Sequence, residues 1–168
     1  MTDLYLVRHG ETFDNALQLM QGQTHGCLNS TGRTQAEALA SRFRGCRLDA
    51  VVASDLRRAV QTAEAIAREH RLPVTTTPLL RERDWGDFTG RHIPDLKGLP
   101  FPENMETMDQ LRERASRFLD FIRTNYAGKR VVAVGHGIVN KVVQAVLLGK
   151  QPGDIVRMEN AEVRFFEV

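Results

Sequence analysis

Short apolar runs alternate with longer amphipathic stretches along this chain. Leu4-Tyr5-Leu6-Val7 is the first run, and it ends at Arg8-His9-Gly10. Continuous runs of this kind fit strands buried on both faces. Asn29-Ser30-Thr31 then offers N-cap oxygens. Ala36, Leu39, Ala40 and Phe43 recur at helical spacing behind it, which predicts a helix over 31–44 that stops at Gly45. Ala50-Val51-Val52-Ala53 predicts a second buried strand. Ser54-Asp55 reads as the cap of a second helix, with Leu56, Ala59, Val60, Ala63, Ile66 and Ala67 on one face, ending before Pro73. Val74 to Thr77 is rich in β-branched residues and fits an edge strand. Met108, Leu111, Ala115, Phe118, Leu119 and Ile122 mark a third helix that ends near Gly128. Val131-Val132-Ala133-Val134 predicts another buried strand, followed by Gly135-His136-Gly137 and a helix from about Val139 to Leu148. Ala161 to Val168 alternates enough for a last strand.

Strands alternating with helices predict a three-layer α/β/α sandwich around a mostly parallel sheet. The irregular stretch is 91–107, with Pro94, Gly98, Pro100 and Pro102. A structureless segment of roughly 17 residues is long for a compact domain, so it reads as a short lid-like insertion.

Composition narrows the class. The 168 residues predict one domain, residues 1–168, and 42% hydrophobic content excludes disorder as the main state. No apolar run approaches the roughly 18 residues needed to span a bilayer, so no membrane association is expected. Arg8-His9 interrupts the first apolar run too early for a signal peptide. The net charge of +2 argues against nucleic acid as a partner. Two cysteines, Cys27 and Cys46, form no CxxC motif and no zinc spacing, which points to a reducing, cytoplasmic setting. Apolar residues near the last strand leave a homodimer open.

Candidate chemistry gathers at one sheet edge. Ligands of open α/β sheets sit beyond the carboxyl ends of the strands. His9-Gly10 and His136-Gly137 both fall at such ends. Their glycines would let a backbone N–H approach a ligand, and helix starts would add donors for an anion. Arg8 lies beside His9, while Arg57 and Arg58 open the helix after the second strand. Guanidinium forks match phosphate oxygens. Each piece alone is commonly structural: a strand-end histidine, a solvated arginine pair, a turn glycine. Their convergence describes a phosphate site containing an imidazole.

At this point a family becomes visible. Leu6-Val7-Arg8-His9-Gly10-Glu11-Thr12, with Asn15 following, resembles the opening signature of the histidine phosphatase superfamily, the phosphoglycerate-mutase-like group. Gln21-Gly22, Leu28-Asn29-Ser30-Thr31-Gly32, Ser54-Asp55-Leu56-Arg57-Arg58-Ala59 with Thr62-Ala63, and Leu80-Arg81-Glu82 with Gly86 and Gly90 resemble its later segments in order. Val134-Gly135-His136-Gly137 is similar to its second-histidine turn, and Asn160 to the asparagine before its last strand.

The resemblance implies roles. His9 would be the nucleophile that becomes a phosphohistidine, with its other ring nitrogen fixed by an acceptor. Arg8, Arg58 and His136 would hold the phosphoryl oxygens, with Arg58 rather than Arg57 aligned to the family arginine. Asn15, Gln21, Gly22 and Gly137 would complete the phosphate-binding set. Glu82 would be the general acid and then the base. Its neighbours Arg81 and Arg83 would oppose its protonation unless their side chains point away. Trp85 and Phe88 read equally as cavity walls or as core. The resemblance implies no metal and no cofactor.

Departures concern the loops. Thr24, His25, Gly26 and Cys27 stand where many relatives carry Asp and Pro. A metal set of His9, His25 and His136 is a remote alternative. Residues 91–107 are short beside the insertions of true mutases, with only Arg91 and Lys97 basic. The expected function is therefore a metal-independent phosphomonoesterase acting on a small organic phosphate. The alternatives are a cofactor-dependent phosphoglycerate mutase, a protein phosphohistidine phosphatase, and a phospholigand-binding module without turnover.

Overall fold

The computed structural model describes residues 1–168. The elements run β1 (Asp3–Arg8), α1 (Phe13–Ala16), α2 (Ser30–Phe43), β2 (Ala50–Ser54), α3 (Arg57–His70), β3 (Val74–Thr77), α4 (Met108–Asn125), β4 (Arg130–Gly135), α5 (Gly137–Leu148) and β5 (Val163–Glu167). The sheet order is β3-β2-β4-β1-β5. The first four strands pair in parallel, and β5 runs antiparallel to β1 at one edge. The α/β architecture and the mostly parallel sheet follow the pattern expected from the sequence.

The central strands bury both faces because their residues alternate between two cores. Leu4, Leu6, Val52, Val131 and Ala133 pack with Leu111, Phe118 and Ile122 of α4 and Val139 and Val142 of α5. Val7, Val51, Ala53, Val132 and Val134 pack with Leu39 and Phe43 of α2 and Ala59, Ala63 and Ile66 of α3. Each large apolar side chain buried this way contributes roughly 1.5–3 kcal/mol, so the sheet is the rigid part of the molecule.

Several local expectations change. Of the three cap candidates Asn29 caps α2, accepting from the Gly32 N–H at 2.8 Å, so the helix starts at Ser30 and not at 31. Ser54 and Asp55 do not cap α3; its N-cap is Leu56, and the Ser54 hydroxyl accepts from the Leu56 N–H instead. Helix α5 begins at Gly137, about half a turn before the position the apolar pattern suggested. Helix α1 has no apolar period to announce it and is held by a reciprocal cap between Thr12 and Asn15. Residues 91–107 are not wholly structureless: Ile93–Leu96 forms a 3₁₀ turn. The Ile93 N–H bonds to the Gln18 carbonyl and the Met20 N–H to the Arg91 carbonyl, stitching this segment to the loop after α1.

Candidate active site

The carboxyl ends of β1 and β4 lie side by side, with Arg8 level with Gly135. This register places His9 and His136 next to each other, with ring centroids 5.0 Å apart. Arg58 enters from the first turn of α3, behind β2, and Glu82 from the segment after β3. Arg8, His9, Asn15, Gln21, Gly22, Arg58 and Glu82 line one cavity of about 190 Å³. His136 is fully buried behind it, and Gly137 follows as the first residue of α5. A wider surface groove of about 670 Å³ runs past Arg81, Glu106 and Arg114, but it holds neither histidine, so size does not identify the site.

Each ring has its hydrogen bonding fixed. His9 Nδ1 lies 2.6 Å from the Gly10 carbonyl oxygen. A carbonyl only accepts, so Nδ1 carries the proton and Nε2 keeps its lone pair. The Thr62 hydroxyl accepts from the Gly10 N–H and donates to the Arg58 carbonyl, which fixes this turn against α3. Asn160 donates to the His9 carbonyl at 3.1 Å and to Asn15 Oδ1 at 3.3 Å. His136 is set the opposite way: Arg58 Nε donates to its Nδ1 at 3.2 Å, so its Nε2 carries the hydrogen. That Nε2 is buried without a protein partner.

Burial and the nearby guanidinium groups of Arg58 and Arg8 hold the His9 pKa well below its ordinary value. Burial, then Arg58, does the same for His136. Burial lowers Arg8 and Arg58 to about 10, which leaves both charged at neutral pH. The result is two neutral imidazoles between two cations. Arg58 is almost fully enclosed, and its fork also donates to the carbonyls of Thr24 at 2.6 Å and Gly22 at 2.7 Å. Gly22 thus holds Arg58 through its carbonyl. Arg57 instead faces outward, toward the Cys27 sulfur. Gln21 Oε1 accepts from the Thr12 hydroxyl at 3.1 Å, so Gln21 also braces the start of α1.

Glu82 is buried, and the two arginines beside it turn away. Arg81 makes a two-pronged ion pair with Asp55 at 2.8 and 2.6 Å. Arg83 donates to the Glu106 carbonyl and stacks on Trp85. The Glu82 carboxyl accepts from the N–H groups of Arg83, Ile138 and Val139 at 2.8, 3.1 and 3.0 Å. The helix start expected to receive a ligand's anion therefore receives the protein's own carboxyl. Arg114 fixes the same segment from below, donating to the carbonyls of Leu79, Arg81 and Glu82 and pairing with Glu106.

Both turn glycines lie against close neighbours. A Cβ on Gly10 would stand 2.6 Å from the Gly32 carbonyl oxygen, and one on Gly137 would stand 2.7 Å from Arg157 Nε. Trp85 lines the cavity, whereas Phe88 is buried against Phe101. No group of three His, Cys, Asp or Glu side chains is arranged to hold a metal, and no helix is long and apolar enough to cross a membrane. Several contributors escaped the sequence reading. Arg157, with Leu19, Met20 and Ile93, lines the cavity. Thr62 stood within a quoted motif but without a role. Asn140 ties α5 to the end of β1 through the Val7 carbonyl, and Arg114 carries the Glu82 segment. Asn140 and Arg114 lie on amphipathic helices, where polar residues at such spacing normally signal only a solvated face.

Comparison with known proteins agrees with this architecture. The family model described as the histidine phosphatase superfamily (branch 1) matches residues 4–168. The chain is 35% identical over 156 residues to the uncharacterized phosphatase PhoE of Bacillus subtilis strain 168, covering 90% of this chain and 80% of that one. It is also 35% identical over 164 residues to a probable phosphoglycerate mutase, GpmB, of Yersinia pestis, covering 89% of this chain and 76% of the relative. Among solved structures, phosphoserine phosphatase of Entamoeba histolytica, in complex with 3-phosphoglyceric acid, superposes with a TM-score of 0.88 at 27% identity, over 99% of this chain and 91% of that one. The chain belongs to branch 1 of the histidine phosphatase superfamily and is an enzyme of that superfamily.

Proposed function

We propose that this enzyme hydrolyses a small organic phosphomonoester without a metal, through a phosphohistidine on His9. The observation that carries the reading is the fixed His9 ring, with Nδ1 tied to the Gly10 carbonyl and Nε2 left with its lone pair beside Arg8 and Arg58. In the first step His9 Nε2 forms a bond to phosphorus as the ester P–O bond breaks. Glu82, entering the step protonated, gives its proton to the leaving oxygen. Its Oε2 accepts one backbone bond and Oε1 accepts two, so Oε2 has room for that proton. Arg8, Arg58, the Nε2–H of His136 and the Asn15 amide hold the equatorial oxygens, where negative charge is spread. In the second step the Glu82 carboxylate takes a proton from water. The water oxygen bonds to phosphorus, the N–P bond breaks, and inorganic phosphate leaves with His9 neutral again.

Transfer back to the same substrate, the mutase reaction suggested by GpmB, needs water kept from the phosphohistidine. Of residues 91–107 only Ile93 lines the cavity, and Leu99 and Phe101 remain exposed, so this segment provides little cover. The test is phosphate release from a panel of phosphomonoesters in the presence of a chelator, with the 2-phosphoglycerate formed from 3-phosphoglycerate measured alongside. Phosphate release that disappears in His9→Ala, together with an acid-labile phosphoenzyme in the wild type, supports the reading. Full activity in His9→Ala removes the nucleophile, and 2-phosphoglycerate as the main product replaces hydrolysis by transfer.

A further inference from the structure

One cation of the cavity has no part in the chemistry above. Arg157 lies in the segment between α5 and β5 and lines the cavity together with Arg8, His9 and Ile138. It takes part in none of the ion pairs of the molecule. Its guanidinium lies flat against Gly137, with Nε and Nη2 within 2.7 and 2.8 Å of where a Cβ would stand. That location sets it among other positive groups. It is the positive end of α5, and it lies close enough to Arg8 and His9 to oppose a positive charge on either. Glu82, the carboxylate that accepts at that helix end, is already engaged by three backbone N–H groups. Arg8 and Arg58 already provide two positive charges for one phosphoryl dianion. Unlike them, Arg157 is exposed, so it sits toward the mouth of the cavity.

The remaining walls limit what else a substrate can carry. With Asn15, Gln21 and Gly22 assigned to the phosphate, the rest of the wall is Leu19, Met20, Trp85, Ile93 and Ile138, largely apolar and with few partners for the several hydroxyls of a sugar. The cavity of about 190 Å³ also falls below the roughly 300 Å³ at which pockets begin to enclose larger ligands. Building on the phosphatase reading, we propose that Arg157 is a specificity residue. It binds a second anionic group of the substrate, a carboxylate or a further phosphate, a few bonds from the scissile ester. The substrate class is then a short phosphorylated acid rather than a phosphorylated sugar or alcohol.

Three probes separate the cases: 3-phosphoglycerate, glycerol 3-phosphate in which a neutral CH₂OH replaces the carboxylate, and 1,3-propanediol bisphosphate. The expected result is that wild type favours an anionic probe over glycerol 3-phosphate. Arg157→Gln should raise KM for the favoured probe about tenfold or more with kcat nearly unchanged, and leave KM for glycerol 3-phosphate alone. Arg157→Lys should recover part of the loss. Whether 3-phosphoglycerate or the bisphosphate responds identifies the second group. An equal effect of Arg157→Gln on all three probes, or no effect on any, overturns the proposal. Calorimetric binding of the same probes to His9→Ala, with and without Arg157→Gln, repeats the comparison without turnover. Binding of the anionic probe that depends on Arg157 in a protein that hydrolyses nothing keeps the inference and discards the hydrolase reading.

Discussion

Arg58 Nε donates to His136 Nδ1 at 3.2 Å, and this one bond decides what His136 offers a ligand. With Nδ1 occupied as an acceptor, the ring presents an N–H from Nε2 while staying neutral. Arg58 is held in turn by the Thr24 and Gly22 carbonyls. The groups proposed to bind phosphate therefore form a preset frame and have little to reorganise when a ligand arrives.

Lysine at position 58 keeps a charge but not a fork. Arg58→Lys loses most of the bonds to His136, Thr24 and Gly22 and frees the His136 tautomer. We expect kcat/KM to fall by about 10²–10³-fold, the usual cost of one preset donor. Steady-state kinetics checks this, and a loss under tenfold would show that charge alone suffices.

Glu82→Gln removes the transferable proton and leaves the fold in place. For an alkyl phosphate, whose leaving oxygen needs a proton, we expect kcat to drop by about 10²–10⁴-fold. For p-nitrophenyl phosphate, which leaves readily as an anion, the first step should suffer far less. Equal losses for both esters would remove Glu82 from the acid role.

Arg114 is a positioning residue. It pairs with Glu106 in a mostly buried contact and holds three carbonyls around Glu82. Arg114→Met leaves Glu106 without its cation, and we expect a stability loss of about 3 kcal/mol in denaturant titrations. The kcat for alkyl phosphates should fall more than that for p-nitrophenyl phosphate, because the displaced group is the proposed acid.

Gly10→Ala forces a methyl toward the Gly32 carbonyl oxygen, 2.6 Å away, where both sides are backbone. Overpacking of this kind costs about 1–3 kcal/mol. Chemical denaturation measures it, and an unchanged midpoint would mean that the α2 start shifts freely.

Acid should destabilise the protein before the carboxylates are reached. His9 and His136 stay neutral when folded, with pKa values well below 6.5, but titrate normally when unfolded. The unfolded chain binds more protons in that window, so stability falls as pH drops below about 6.5. Each histidine contributes up to about 1.4 kcal/mol per pH unit. Denaturant titrations from pH 7 to 5 in phosphate-free buffer should show this fall, and His9→Gln should make it shallower. An identical slope in the variant would contradict the buried neutral His9.

Much of the site was legible because the chemistry sits at element boundaries. His9 and His136 close apolar runs, and parallel strands buried on both faces end at one carboxyl edge, so both rings fall on that edge; that their strands are neighbours is decided by the sheet order. Arg58 opens a helix whose apolar face is plain. The sandwich and its parallel sheet follow from the same alternation. Ser54 and Asp55 misled because their side chains suit capping chemistry, whereas the chain turns into α3 only at Leu56, which has no polar side chain to cap it.

By itself the sequence determined the strands, the helices that cover them, and which histidines and arginines stand at the carboxyl edge. Tertiary structure alone decided the orientation of every group there. The tautomers of both rings depend on the Gly10 carbonyl and on an arginine 78 positions away. The freedom of Glu82 from its flanking arginines depends on Asp55, Glu106 and Trp85. The place of Arg157 beside Arg8 depends on Gly137 offering a surface without a side chain. Periodicity reports which face of an element is buried. It carries no record of partners brought together from distant parts of the chain, and those partners set where each proton and each charge resides.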